Sequence, residues 1–112
     1  MPINQWTPQQ LQQSLNQEDL SQENPPVLLD VRENNEFAYA HIAGSLHIPL
    51  GQLPARYQEL DAGRDIVVIC HHGVRSLQAC GFLQQAGFSR LYNLKGGIDA
   101  WSVICDPSVP RY

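Results

Sequence analysis

Short apolar runs alternate with helical patterns along the whole chain. Apolar or β-branched residues predict five strands, at residues 3–6, 27–31, 45–48, 66–69 and 91–94. Apolar residues at helical spacing predict helices over residues 50–60 and 76–86, and capping or turn residues indicate shorter helices over residues 7–16, 33–40 and 98–103. Strands that alternate with helices form βα units, and strands that are apolar throughout are covered on both faces. The pattern therefore predicts an α/β fold, with a mostly parallel central sheet of about five short strands and helices on both faces.

Capping and breaking residues mark the predicted boundaries. Thr7 precedes a proline and stands three residues before a glutamine, which is a capping-box pattern for the first helix. Residues 21–26 form a polar linker that ends in two prolines, and Gly87 is expected to cap the helix over residues 76–86. From Asp106 onward the chain contains two prolines, and we expect it to be irregular.

Length, charge and cysteine content narrow the class of protein. A chain of 112 residues fits one domain, residues 1–112, and can bury a core without disulfides. Its net charge of −4, from 7 basic and 11 acidic residues, argues against a nucleic-acid partner. Its three cysteines, Cys70, Cys80 and Cys105, show no paired spacing and suit a reducing compartment. No secretory signal or membrane-length apolar run is visible, so we expect a cytoplasmic protein with no membrane partner.

Cys70 is the strongest candidate for a functional residue, because it directly follows the strand at residues 66–69. Ligands of open α/β sheets bind at the carboxyl ends of strands. Loop amides, a helix N-terminus and nearby cations there favour a reactive thiolate. We predict Cys70 as the catalytic nucleophile and the next six residues as the substrate-binding loop: His71, His72, Gly73, Val74, Arg75 and Ser76.

Each residue of this loop has an expected contribution. Gly73 permits a positive φ and lets amides approach a central anion. Arg75 adds a permanent positive charge, and Ser76 adds a hydroxyl at the helix start. His71 and His72 fit two interpretations equally well, either a partly protonated imidazole that favours the thiolate or exposed polar residues.

Other polar and sulfur-bearing residues are expected to be structural. Adjacent histidines on a tight loop rarely converge on one metal ion, so we expect no metal, and no cofactor is needed. Asp30 and Arg32 are expected to form a structural pair at a strand end, and Glu36 and His41 receive structural roles as well. Cys80, on the apolar face of its helix, is expected to be buried and inert.

Three segments resemble the rhodanese family. The spacing Cys70-x4-Arg75 is similar to the active-site loop of rhodanese sulfurtransferases and one residue shorter than the loop of the related Cys-x5-Arg phosphatases. Residues 29–49 resemble the N-terminal signature of the family, and residues 94–101 resemble its C-terminal signature, whose glycines suit a tight turn before the last helix. These segments occur in the family's order, and the resemblance implies a rhodanese-like fold.

The resemblance implies sulfur transfer through a persulfide. In this interpretation the Cys70 thiolate takes a sulfane sulfur from a small donor, thiosulfate or a persulfide, and passes it to a nucleophilic acceptor by double displacement. Arg75 and the loop amides would stabilise the anionic persulfide. The acceptor would be a thiol or a sulfur-carrier protein. The carrier protein is implied by residues 99–112, which resemble the ends of rhodanese domains fused to ubiquitin-activating-like enzymes.

Two alternatives use the same fold. One is a cysteine-dependent phosphatase or arsenate reductase, and the shorter loop argues against it. The other is a non-catalytic rhodanese-like binding module. The presence of Cys70, Gly73, Arg75 and Ser76 together favours an enzyme over such a module.

Overall fold

Five short parallel strands form the centre of the protein, whose computed structural model describes residues 3–15 and 25–112. Their order across the sheet is β1-β5-β4-β2-β3, and every neighbouring pair is parallel. The strands are β1 (Asn4–Trp6), β2 (Val27–Asp30), β3 (Leu46–His47), β4 (Ile66–Ile69) and β5 (Leu91–Leu94). The predicted α/β fold with a parallel sheet of five strands is confirmed.

Five α-helices accompany the sheet in the described residues. They are α1 (Pro8–Leu15), α2 (Asn34–Tyr39), α3 (Leu53–Arg56), α4 (Val74–Gln85) and α5 (Gly97–Ile104). No helix within residues 3–15 or 25–112 has the length and apolar content needed to cross a bilayer. The predicted end of the first helix at residue 16, and residues 21–24 of the predicted linker, lie outside the described residues.

Two helices differ from the sequence prediction by more than a single residue at an end. The continuous helix expected over residues 50–60 is divided into 3₁₀ turns at Leu50–Gln52 and Tyr57–Glu59, with α3 between them. Gly51 disfavours helix, and Pro54 is accommodated only in a first turn, so this segment sustains only short helices. Helix α4 begins two residues earlier than predicted, because Gly73 adopts a left-handed conformation and turns the chain directly into the helix.

The apolar residues of the central strands divide between two cores, one on each face of the sheet. Leu28 and Val67 pack on one face with residues of α1 and α5. Leu29 and Val68 pack on the other face with residues of α3 and α4. All four residues of β4 are buried, and each buried aliphatic side chain contributes about 1.5–3 kcal/mol to stability. The prediction that helices cover both faces of the sheet is confirmed. Packing on both faces holds the end of β4 in place, and Cys70 follows directly after it.

A buried ion pair lies at the carboxyl end of β2. Arg32 lies 2.7 Å from Asp30, measured from Nη2 to Oδ2, and neither side chain is exposed. Nε of Arg32 donates to the same carboxylate, and Nη2 also donates to the carbonyl of Ala40. The predicted structural pair is confirmed. Removing one partner would leave a buried charge uncompensated, which is strongly destabilising.

Candidate active site

Cys70 occupies the first position after β4, and its side chain is almost fully buried. The backbone N–H of Gly73 donates to Cys70 Sγ at 2.9 Å. Gly73 has a φ of +104°, as predicted, and this left-handed turn aims its amide back at the sulfur. The loop is thus folded around the sulfur atom that the sequence singles out.

A chain of polar groups continues from the sulfur into the sheet. Ser76 Oγ lies 3.2 Å from Cys70 Sγ, and its hydroxyl donates to the side-chain oxygen of Asn93 on β5. The amide nitrogen of Asn93 donates to the carbonyl of Gly73 at 3.2 Å and to Gln5 Oε1 at 2.9 Å. Because Ser76 has one proton, this pattern turns its oxygen lone pairs toward the thiol proton, and rotation of the hydroxyl would serve the thiolate.

The first turn of helix α5 binds the backbone of the Cys70 loop. The N–H groups of Ile98 and Asp99 donate to the carbonyls of Cys70 and His71, at 2.8 and 3.1 Å. Gly97 has a φ of +64°, and a Cβ on it would lie 2.5 Å from the carbonyl oxygen of Cys70. The predicted tight turn before the last helix is confirmed, since Gly96 and Gly97 both have a positive φ. The two carbonyls are directed to α5.

Arg75 is held in a two-pronged ion pair with Glu36 on α2. Its Nη1 and Nη2 atoms lie 2.6 and 2.8 Å from Oε1 and Oε2 of the carboxylate. The guanidinium lowers the pKa of Glu36 to about 2. The same hydrogen bonds raise the pKa of Arg75. Arg75 is therefore a fixed and partly compensated cation near the loop.

Tyr112 reaches the loop from the segment that follows α5. Its ring stacks on the imidazole of His71, with centroids 4.0 Å apart and planes 9° apart. Its hydroxyl accepts from Arg32 Nη1 at 2.9 Å and donates to Glu36 Oε2 at 2.8 Å. This segment was predicted to be irregular, and the structure places its last described residue against the candidate site.

The two histidines of the loop differ in their surroundings. Burial, with a smaller contribution from the neighbouring charge of His72, lowers the pKa of His71. The neutral imidazole is favoured, so the burial of His71 argues against a protonated ring there. His72 is exposed, and its Nδ1 atom lies 4.0 Å from Asp99 Oδ2. Within the described parts of the chain, no three histidine, cysteine, aspartate or glutamate side chains form a group suited to a metal ion.

Sequence reasoning missed three residues that contact this loop. Glu36 was assigned only a structural role, while Asn93 and Tyr112 were not singled out. A polar residue in the otherwise apolar β5 was a usable signal for Asn93, because a buried amide needs hydrogen-bond partners. No local pattern indicates the other two, whose hydrogen-bond partners in the site lie 39 and 76 or more residues away in the chain.

The fold and the loop geometry agree with a family comparison. The chain matches the model of the rhodanese-like domain over residues 7–103. The protein therefore belongs to the rhodanese-like domain family, which confirms the resemblance found in the three signature segments.

Two relatives of this chain are named as sulfurtransferases. A sulfurtransferase of Allochromatium vinosum is 42% identical over 76 residues, which cover 68% of this chain and 71% of the relative. The thiosulfate sulfurtransferase GlpE of Haemophilus influenzae is 34% identical over 102 residues, which cover 90% of both chains. A rhodanese-related protein of Thermoplasma volcanium has a similar structure, with a TM-score of 0.82, 29% identity, and coverage of 98% of this chain and 100% of that one. At the level of the family, these relatives support sulfur transfer.

Proposed function

We propose that this protein is a sulfurtransferase that carries a sulfane sulfur on Cys70. The observation that carries the proposal is the buried Cys70 Sγ with the Gly73 amide at 2.9 Å and the Ser76 hydroxyl at 3.2 Å. The Gly73 amide donates to the sulfur, and the Ser76 hydroxyl can rotate to do the same. Donors directed at a sulfur atom stabilise its anionic form, which is the nucleophile. The Cys-x4-Arg spacing and the sulfurtransferase relatives support sulfur as the group that is transferred.

The first half-reaction loads the cysteine. The Cys70 thiolate attacks the sulfane sulfur of thiosulfate, a new S–S bond forms, and the S–S bond of thiosulfate breaks. Sulfite leaves with the bonding electron pair, and Cys70 becomes a persulfide. The relative named as a thiosulfate sulfurtransferase supports this donor, and a low-molecular-weight persulfide can take its place. The anionic outer sulfur is stabilised by the hydrogen-bond donors of the loop.

The second half-reaction unloads the cysteine. A nucleophilic acceptor attacks the outer sulfur, the Cys70–sulfur bond breaks, and the thiolate is regenerated. Cyanide serves as the acceptor in an assay and yields thiocyanate. A thiol or a sulfur-carrier protein serves in the cell. The cytoplasm suits this cycle because persulfide transfer needs reduced thiols, and Cys70, Cys80 and Cys105 are all free.

Arg75 and the loop histidines have supporting roles in this proposal. Because Glu36 compensates much of its charge, Arg75 provides a fixed field at the loop and does not reach freely for the donor. The neutral His71 forms part of the loop wall, and the exposed His72 meets molecules that approach from solvent. Val74 is also exposed beside the loop and is available to contact substrate.

Steady-state kinetics with thiosulfate and cyanide test the proposal. A persulfide intermediate predicts parallel lines in double-reciprocal plots, the pattern of a double-displacement reaction. Cys70→Ser should be inactive, whereas Cys105→Ser, which changes a partly exposed thiol elsewhere, should keep wild-type rates. Intersecting lines, full activity in Cys70→Ser, or phosphate-ester hydrolysis in place of thiocyanate formation would contradict the proposal.

A further inference from the structure

Tyr112 lies beyond residue 103, where the family match ends, and yet it contacts the candidate site. Four side chains face it: its ring stacks on His71 and meets Tyr39 edge-on at 6.0 Å, and its hydroxyl bonds to Arg32 and Glu36. His71 and Tyr39 contact the ring, Glu36 contacts the hydroxyl, and Arg32 contacts both, since its guanidinium also lies 5.7 Å from the ring centroid. The contributions of ring and hydroxyl can therefore be separated by experiment.

The direction of the two hydroxyl bonds follows from chemistry. The guanidinium of Arg32 can only donate, so the Tyr112 oxygen accepts from it at 2.9 Å. The single proton of Tyr112 is then free to be donated to Glu36 Oε2 at 2.8 Å. Arg32 is buried and also bound to Asp30, so it anchors the tyrosine oxygen in place.

Glu36 Oε2 is shared between two donors. Arg75 Nη2 and the Tyr112 hydroxyl both lie 2.8 Å from this oxygen. Each hydrogen bond to a carboxylate draws on its negative charge, so the tyrosine weakens the hold of Glu36 on Arg75. The guanidinium of Arg75 then keeps more uncompensated positive charge beside the Cys70 loop.

We propose that Tyr112 is a positioning residue for an anionic sulfur donor, acting through Glu36 and Arg75. The inference rests on the proposed function and extends it by assigning a role to a residue outside the family match. Tyr112 touches no reacting atom in this arrangement. It sets the charge that thiosulfate meets at the loop.

Tyr112→Phe tests the role of the hydroxyl, because phenylalanine keeps the ring that stacks on His71. The variant loses the hydroxyl's bonds to both Arg32 and Glu36, and loss of the charge-assisted bond to Glu36 predicts that the KM for thiosulfate rises roughly 3- to 10-fold. The kcat at saturating thiosulfate should stay near the wild-type value, and the rate of alkylation of Cys70 by uncharged iodoacetamide should not change. Tyr39→Phe, on the neighbouring ring, is the matched control and should leave the KM for thiosulfate unchanged.

A double-mutant cycle identifies the path of the effect. If Tyr112 acts through Glu36, Tyr112→Phe should have no further effect on the KM for thiosulfate in a Glu36→Gln background. The same rise in both backgrounds, or a wild-type KM in Tyr112→Phe, would overturn the inference.

A second measurement does not depend on sulfur chemistry. The pKa of the Glu36 carboxyl is about 2, and the hydrogen bond from Tyr112 helps to lower it, so it should rise in Tyr112→Phe when followed by NMR titration. An unchanged pKa of Glu36 would overturn the role of the hydroxyl. Wild-type protein that takes no sulfur from either thiosulfate or a persulfide donor would instead overturn the proposed function.

Discussion

Cys70 and Cys80 are both buried free thiols in the same hydrophobic core, and they differ in the hydrogen-bonding groups around the sulfur atom. Cys70 stands at the end of β4, where it receives the amide of Gly73 and lies beside the hydroxyl of Ser76. Cys80 lies inside α4, where backbone amides are used in the helix, and burial raises the pKa of its thiol to about 12. Burial alone makes a thiol inert, and an amide directed at the sulfur at a strand end makes Cys70 a candidate nucleophile.

Cys70→Ser should have the largest effect on sulfur transfer, and Cys80→Ser is its matched control. Cys70→Ser should lower sulfur transfer by roughly a thousand-fold or more, as expected when a nucleophile is removed. Cys80→Ser should retain transfer per folded molecule. The thiosulfate–cyanide assay measures both, with circular dichroism to confirm folding. Comparable losses in the two folded variants would remove the distinction between the two sites.

Disturbing the support of the Cys70 loop should have the next largest effect. Gly97→Ala should cost roughly 3 kcal/mol or more, because a methyl group would meet the carbonyls of Cys70 and His71 at a positive φ. Gly44→Ala is the matched control, since Gly44 also has a positive φ but has open space around it, and it should cost about 1 kcal/mol. Denaturant unfolding gives both values, and equal costs would show that the contact with the loop is unimportant.

Removing one polar neighbour should make Cys70 more like Cys80. Ser76→Ala takes away the hydroxyl 3.2 Å from the sulfur, and sulfur transfer should fall roughly 10-fold. Ser45→Ala removes a hydroxyl bound to the Ile42 carbonyl, away from the loop, and should leave transfer unchanged. The rate of persulfide formation under single-turnover conditions is the appropriate measurement. A wild-type rate in Ser76→Ala would mean that the amide of Gly73 is sufficient.

The smallest effect concerns the charge held near Cys70. The pKa of Glu36 is lowered from its usual 4.5 to about 2 in the folded protein, so its ionised form stabilises the fold at neutral pH. This stabilisation should be lost as pH falls from about 4.5 toward 2. Glu36→Gln should cost about 1 kcal/mol at pH 7, allowing for solvent screening at this partly exposed pair, and the cost should disappear at low pH.

An exposed ion pair provides the control for this pH dependence. Glu59 pairs with Arg56 on the surface, and Glu59→Gln should change stability little at any pH. Urea unfolding between pH 2 and 7 compares the two variants with wild type. A difference between wild type and Glu36→Gln that does not depend on pH would contradict the role of the carboxylate.

The fold was largely predictable because its central strands are short, mostly apolar runs with clear ends. The bounds predicted for β4 and β5 are those observed, while the helix predicted over residues 50–60 was wrong in its continuity. Gly51 and Pro54 explain that difference, since local breakers outweighed apolar residues at helical spacing.

The candidate site was predictable only in its local part. The order of strand, cysteine, glycine and helix is contained in residues 66–76, and the structure folds this segment around Cys70 Sγ. The contacts of Glu36, Asn93 and Tyr112 depend on the order of the strands in the sheet and on the path of the segment after α5. Both bring together residues that are far apart in sequence. The assignment of Cys70 as the nucleophile stays a prediction.

Intact-protein mass spectrometry tests that prediction most directly. Wild type, Cys70→Ser and Cys80→Ser are incubated with thiosulfate, measured, and then treated with cyanide. We predict the gain of one sulfur atom in wild type and Cys80→Ser but not in Cys70→Ser, and its removal by cyanide as thiocyanate. A gain that persists in Cys70→Ser, or no gain in wild type with either thiosulfate or a persulfide donor, would contradict the account.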